Sequence, residues 1–293
     1  TVTGDVDLIL ADGCSLAAPQ GITVTAEDDD VENGSPNSLT IYGQQAGTGA
    51  LTATAAANTG NAGIGGLAGR DNIAHGGAVT IHGGVITATG GSSQWDSGAG
   101  IGGAGGGKGG SVTVTGGLVS ATGGGSDYTT SAGVGGGGHA DGGRVTVTGG
   151  QLTATGNTVG IGGGTFGGGL QGSGSFSLSG SGVVFATLIQ DKSGESSWQG
   201  LVFAGGEGLV YGDSLTLAQS LTIPQGSTLY ISQGSTLTVP GLVNEGILFN
   251  FGTLNAGSLE NTGKLYSMQE LAGATPISLQ SAQYLDENGR TQT

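Results

Sequence analysis

The chain has 293 residues, of which 68 are glycine and 5 are proline, with 9% charged and 5% aromatic residues. Glycine does not fall at every third position and proline is scarce, which excludes collagen; the 35% of hydrophobic residues come in regular Val/Ile/Leu/Thr runs that a disordered linker lacks. Six Lys+Arg against 21 Asp+Glu give a formal charge of −15, which supplies no basic patch for nucleic acid or an anionic membrane surface, and there is no apolar run of about 18 residues to insert into a membrane.

The chain starts at Thr1 without Met and reads as a processed protein or a trimmed segment. Residues 1–37 read as a first coil: VDLIL (6–10), a turn at Ala11-Asp12-Gly13, then ITVTA (22–26). Cys14 is the only cysteine, so no disulfide framework exists; it is expected as a small buried residue in a strand. The acidic run Glu27-Asp28-Asp29-Asp30 with Glu32 reads as a solvated loop. Calcium, which favours clustered hard oxygens, is the alternative there, and no other cofactor is expected.

Self-similarity dominates the middle of the chain. GGAVTIHGGVITATG (76–90), GGSVTVTGGLVSATG (109–123) and GGRVTVTGGQLTATG (142–156) align without gaps at a spacing of 33 residues. A looser copy precedes them (SLTIYG, 38–43, with LTATA, 51–55) and a worn copy comes after them (SFSLSG, 175–180, with VVFAT, 183–187). Between the copies recur AGIGG (62–66), AGIGG (99–103), AGVGG (132–136) and VGIGG (159–163). Each copy thus holds two short strands and one glycine-rich segment.

The strands alternate with period 2. Apolar columns form at Val79/Val112/Val145/Phe176, Ile81/Val114/Val147/Leu178, Ile86/Val119/Leu152/Val184, Ala88/Ala121/Ala154/Ala186 and Ile64/Ile101/Val134/Ile161, with threonine columns between them. One copy cannot bury its own apolar face, whereas stacked copies can. The expected fold is therefore all-β: a right-handed parallel β-helix (a solenoid) with ~33-residue coils, narrowing to shorter coils toward the C-terminus. Residues 1–205 are expected to form the wide part. Residues 206–274 are expected to form a narrower continuation or cap, and 275–293 an end strand or linker. In the narrow part LTIPQG (221–226), TLYISQG (228–234) and TLTVPG (236–241) recur every eight residues. Asn-x-Gly turns stand at 244–246, 250–252 and 261–263, where both residue types tolerate a left-handed corner.

Each wide coil carries a loop before its GIGG segment. In SSQWDSGAG (92–100) and SDYTTSAG (126–133), Trp95 and Tyr128 lie 33 residues apart, each four residues before the alanine of A-G-[IV]-G-G. Aromatics are rare in this chain, and these two are expected on neighbouring coils, one above the other. Their faces would stack on sugar rings while Asp96 and Asp127 accept hydrogen bonds from hydroxyls; the alternative is that both rings fold down over the glycine-rich face. His75, Lys108 and Asp141 share a 33-residue column that reads as a local pairing of charges. His139 stands two residues from Asp141, which is too few ligands for a metal site. The T-x-T pattern at Thr52/Thr54, Thr87/Thr89, Ser120/Thr122 and Thr153/Thr155 reads as the outward face of ordinary strands, with a flat ice-binding grid as the alternative.

VTGDVDLILADGCSLAA (2–18), SLTIYGQ (38–44), NAGIGG (61–66) and the VTVTGG…ATGG repeats resemble the glycine-rich repeats of large secreted or surface proteins of gut bacteria, within the pectin-lyase-like β-helix superfamily. QYLDENGRTQT (283–293) looks like the lead-in to another such module. The resemblance implies a secreted or cell-surface, adhesin-like module of a longer protein, partnered by a glycan or host-surface carbohydrate, with no known reaction. The glycan-cleaving enzymes of that superfamily imply an alternative, a polysaccharide lyase or glycoside hydrolase, in which Asp96 and Asp127 would be the catalytic pair. The NTD, DD, GHG and RIK segments of its polygalacturonase-like hydrolases are missing, Gly138-His139-Ala140 being a poor echo. Its lyases pair a Lys or Arg base with calcium carboxylates, for which Arg70, Lys108 and Arg144 stand with Asp71, Asp96, Asp127 and Asp141. A purely structural stalk is the remaining reading.

Overall fold

A computed structural model describes residues 1–26, 37–69, 75–191 and 197–267, together with the backbone of the short strands Ile277–Leu279, Tyr284–Leu285 and Thr291–Gln292. The described residues are all-β, with no helix, and their sheets are mostly parallel, an arrangement consistent with a β-helix. The chain divides into two compact units, 1–178 with 184–197, and 179–183 with 198–293.

In the first unit, three parallel sheets take one strand each from every repeat. The first sheet runs Asp5–Leu10, Ser38–Gly43, Ala78–Ile81, Ser111–Val114, Arg144–Val147, Ser175–Leu178. The second takes Ser15–Ala18, Ala50–Thr54, Val85–Thr89, Leu118–Thr122 and Gln151–Thr155. The third takes the two-residue strands Ile22–Thr23, Ile64–Gly65, Ile101–Gly102, Val134–Gly135 and Ile161–Gly162. The registers match the sequence columns: Val112 pairs with Val79 and Val145, Ala121 with Ala88 and Ala154, and Ile101 with Ile64 and Val134.

The alternating pattern decides what is buried. Val79, Ile81, Val112, Val114, Ile86, Ala88, Ala121 and Ile101 are buried, while Thr87, Ser120 and Thr122 between them are exposed. Val6 and Leu16 belong to the same apolar columns yet are 38% and 42% exposed, because each lies on the outermost strand of its sheet. Cys14 is half-buried in the turn before Ser15–Ala18 rather than buried within a strand; its N–H donates to the Ala11 carbonyl at 3.0 Å. That turn is pinned by the Asp12 carboxylate, which accepts from the N–H groups of Ala46 and Thr48 at 3.0 and 3.3 Å.

Glycine is required most plainly in the third sheet. Gly102 has φ 137°, and a Cβ there would stand 2.1 Å from the Gly135 carbonyl oxygen; Gly65 and Gly135 repeat both features. Backbone therefore lies directly on backbone, with no room for a side chain.

The second unit repeats on a shorter period. Thr236 pairs with Thr253 and Leu242 with Leu259, 17 residues on. The three segments that recur every eight residues are successive strands, Leu221–Ile223, Thr228–Ile231 and Thr236–Val239, that belong to three different sheets. The Asn-x-Gly corners work differently from the left-handed turns expected. None of Asn244, Asn250, Asn261, Gly246, Gly252 or Gly263 has positive φ. The asparagines are buried instead, Asn244 Nδ2 donating to Asn261 Oδ1 at 2.6 Å and to the Lys264 carbonyl at 2.9 Å. The glycines allow close approach: a Cβ on Gly252 would stand 2.3 Å from the carbonyl oxygens of Ser232 and Ser235.

Two outcomes test this packing. Val114→Asp places an unpaired charge at a position with 0% exposure and abolishes cooperative folding, read by circular dichroism and solubility. Gly102→Ala, strained and in collision with Gly135, lowers stability by more than about 1 kcal/mol in denaturant titration, whereas Gly169→Ala, in the exposed hairpin strand Gly169–Leu170 where a Cβ meets nothing closer than 3.4 Å, changes it little.

Candidate functional site

The turns that carry Trp95 and Tyr128 are built alike. In Ser93-Gln94-Trp95-Asp96 the Ser93 N–H donates to the Asp96 carbonyl at 2.8 Å and the Asp96 N–H to Ser93 Oγ at 3.0 Å. In Ser126-Asp127-Tyr128-Thr129 the matching bonds are 2.7 and 3.0 Å. Serine closes both turns because its hydroxyl mimics a backbone acceptor. The aromatic takes the third position of each turn.

A buried hydroxyl cluster anchors the turns. Ser97, Thr129 and Ser131 are at most 1% exposed. Ser97 Oγ lies 3.0 Å from Thr129 Oγ1, and Ser131 Oγ donates to Ser97 Oγ at 2.7 Å. Thr129 Oγ1 also reaches the Trp95 carbonyl at 3.4 Å.

On this base the two rings stack face to face, with centroids 4.8 Å apart and planes 18° from parallel. They are 58% and 45% exposed, so they stand out from the surface rather than folding down over the glycine-rich segments. The carboxylates are not brought into one position. Asp96 is the fourth residue of its turn, half-buried against Gly60 and Gly105, and its register partner is Thr129. Asp127 is the second residue of its turn, exposed, and in register with Gln94.

Beside the turns lies a cleft of about 410 Å³ lined by His75, Lys108, His139, Asp141, Gln171 and Gly172. His75, Lys108 and Asp141 are the 33-residue column. The Lys108 N–H donates to His75 Nδ1 at 2.9 Å, which places that imidazole's neutral-form proton on Nε2. The Lys108 carbonyl accepts from the Gly76 N–H at 2.9 Å, and the Asp141 carbonyl from the Gly109 N–H at 3.0 Å. His139 has φ 70° in a tight turn closed by Ala140 N–H to Gly137 O at 3.2 Å, and its ring packs on Phe166 with centroids 4.2 Å apart.

The periodicity missed Phe166 and Gln171, because they come from a hairpin, Thr165–Phe166 with Gly169–Leu170, that breaks the 33-residue rhythm. The signal was the run TFGGGL directly after the last GIGG segment. Also missed was the aromatic column of the second unit. Tyr230 and Phe249 stack at 5.2 Å and 7°, and Phe249 and Tyr266 at 4.8 Å and 13°. Its signal was an aromatic after each core leucine in TLYI, ILFN and KLYS.

The hydroxyl columns of the second sheet align Thr52, Thr87, Ser120 and Thr153, and beside them Thr54, Thr89, Thr122 and Thr155. Among the described residues no group of three or more His, Cys, Asp or Glu side chains could hold a metal ion, and no helix is long and apolar enough to cross a membrane. The acidic run Glu27–Asp30 with Glu32, considered for calcium, lies outside the described residues, as do Arg70, Asp71, Pro276 and residues 286–290. No protein-family model, curated protein or solved structure matches the chain.

The turn geometry gives a direct expectation. Ser97→Ala removes a buried partner from Thr129 and Ser131 and lowers stability by about 1–3 kcal/mol, measured by thermal or chemical unfolding, while Ser126→Ala, at a half-buried turn, costs less.

Proposed function

We propose that the chain is a right-handed parallel β-helix module of a secreted or cell-surface, adhesin-like protein, of the glycine-rich repeat type that gut bacteria display, and that it binds glycans without catalysing a reaction. Trp95 and Tyr128 are the binding residues, with Asp127 accepting hydrogen bonds from sugar hydroxyls beside them. Right-handedness follows from the general rule for parallel crossovers, applied to a chain that visits three parallel sheets in fixed order.

One observation carries the binding reading: two large aromatic rings stay exposed, held by identical serine-closed turns over a buried hydroxyl cluster. Exposed rings cost solvation, and a stacked pair recovers only about 0.5–1.5 kcal/mol beyond burial. A rigid ring whose outer face is open suits an apolar sugar face. The enzymatic alternative has weaker support, because Asp96 and Asp127 occupy different positions of their turns. An ice-binding reading draws support from the two aligned hydroxyl columns of the second sheet, and thermal hysteresis of the purified chain tests it.

A glycan array followed by calorimetry is the deciding experiment. Trp95→Ala and Tyr128→Ala are each expected to weaken binding about tenfold, equivalent to about 1.4 kcal/mol, with little loss of melting temperature. Unchanged binding with a lowered melting temperature would make the rings structural, and product release from a polysaccharide panel would favour the enzyme.

A further inference from the structure

The second unit carries an outward apolar face. Its strands Glu207–Tyr211, Thr228–Ile231, Ile247–Asn250 and Lys264–Ser267 lie side by side, in that order and parallel. Leu229, Ile231, Leu248 and Leu265 point into the unit and are at most 3% exposed. Strand alternation therefore turns the residues between them outward. The registers set Leu209, Tyr230, Phe249 and Tyr266 in one outward column. Beside it runs a second column of Glu207, Thr228, Ile247 and Lys264. Leu209 is 38% exposed, and the three rings, with Phe251 stacked 6.0 Å from Phe249, are half-buried.

The ring geometry decides what fits this face. Tyr230 stacks on one side of Phe249 at 5.2 Å and Tyr266 on the other at 4.8 Å, all within 13° of parallel. Both faces of the central ring are taken by its neighbours, so ring edges point away from the sheet. A sugar stacks on a ring face and finds none free in the middle of the column. Ring edges flanked by Leu209 and Ile247 make a corrugated apolar surface instead. A second surface of the same kind interdigitates with it, as the inner faces of two packed sheets do.

Charge names the partner. Glu207 and Lys264 are both exposed and close opposite ends of the second column, three strand spacings or about 14 Å apart. A twofold axis lying in the face, parallel to the strands and midway along the column, sets Glu207 against the partner's Lys264 and Lys264 against the partner's Glu207. The same axis sets Leu209 against the partner's Tyr266 and Tyr230 against the partner's Phe249. Opposite charges and apolar groups thus match at once, each contact occurring twice. We propose that this face is the interface of a homodimer formed by two copies of the chain about that axis. Four short strands make a small interface, so the association is weak and concentration-dependent. The dimer does not depend on the glycan reading; where that reading holds, pairing gives two Trp95/Tyr128 sites per particle and raises avidity for a multivalent surface.

The test is sedimentation velocity of the full chain from micromolar to millimolar concentration, with charge reversal at the two exposed positions. A reversible monomer–dimer equilibrium is expected. Glu207→Lys and Lys264→Glu each turn two attractive contacts into two repulsive ones, and each is expected to weaken dimerisation about tenfold with little change in melting temperature. Mixing the two variants is expected to restore dimerisation, because each supplies the charge that the other lacks. The two changes move the net charge of −15 in opposite directions, so a general charge effect would strengthen one and weaken the other. A chain that stays monomeric at millimolar concentration would overturn the proposal. So would a dimer that either single reversal leaves intact, or one that the mixture fails to restore.

Discussion

In the third sheet neighbouring repeats meet without side chains between them. A Cβ at Gly65, Gly102 or Gly135 would stand 2.0–2.1 Å from a carbonyl oxygen of the next repeat. Hydrogen bonds such as Ile101 N–H to Gly133 O, at 3.0 Å, close the gap instead. These strands are only two residues long, and their pairing holds because the longer strands of the first and second sheets fix the same repeats against one another, at 33 residues in all three sheets for the central pairings. The apolar columns supply the burial; the glycines let that burial and the close backbone contact coexist.

Everything at the candidate site depends on that register. Trp95 meets Tyr128 because their turns hang from equivalent points of adjacent repeats, closed by Ser93 and Ser126. Lys108 meets His75 for the same reason. The site becomes irregular only where the rhythm is broken, at the hairpin of Phe166 and Leu170, and this departure shapes the cleft's far wall through Gln171 and Gly172. A repeat supplies identical positions; a binding site needs different ones, and the departures provide them.

The strand columns were legible in the sequence because period-2 alternation and a fixed repeat leave one consistent pairing. The pair Trp95/Tyr128 was legible for the same reason. Asp96 and Asp127 were grouped by type rather than by position: their different places within a four-residue turn send one carboxylate against Gly60 and Gly105 and the other into solvent. The role of Asn244, Asn250 and Asn261 was not legible, since an asparagine before a glycine signals a left-handed turn as readily as the buried corner hydrogen bonds found here. Cleft-lining residues outside the repeat had no periodic partner to announce them.

One 33-residue register carries fold and site together. Excising a whole repeat, residues 79–111, joins Ala78 to Val112 and keeps every column aligned; excising residues 79–110 instead shifts the first-sheet strand by one and turns Val112 and Val114 outward. The decisive measurement is the thermal unfolding of these two deletions, followed by circular dichroism. A shared register predicts a cooperative β-sheet transition for the first and none for the second. Equal folding of both, or failure of both, would contradict it.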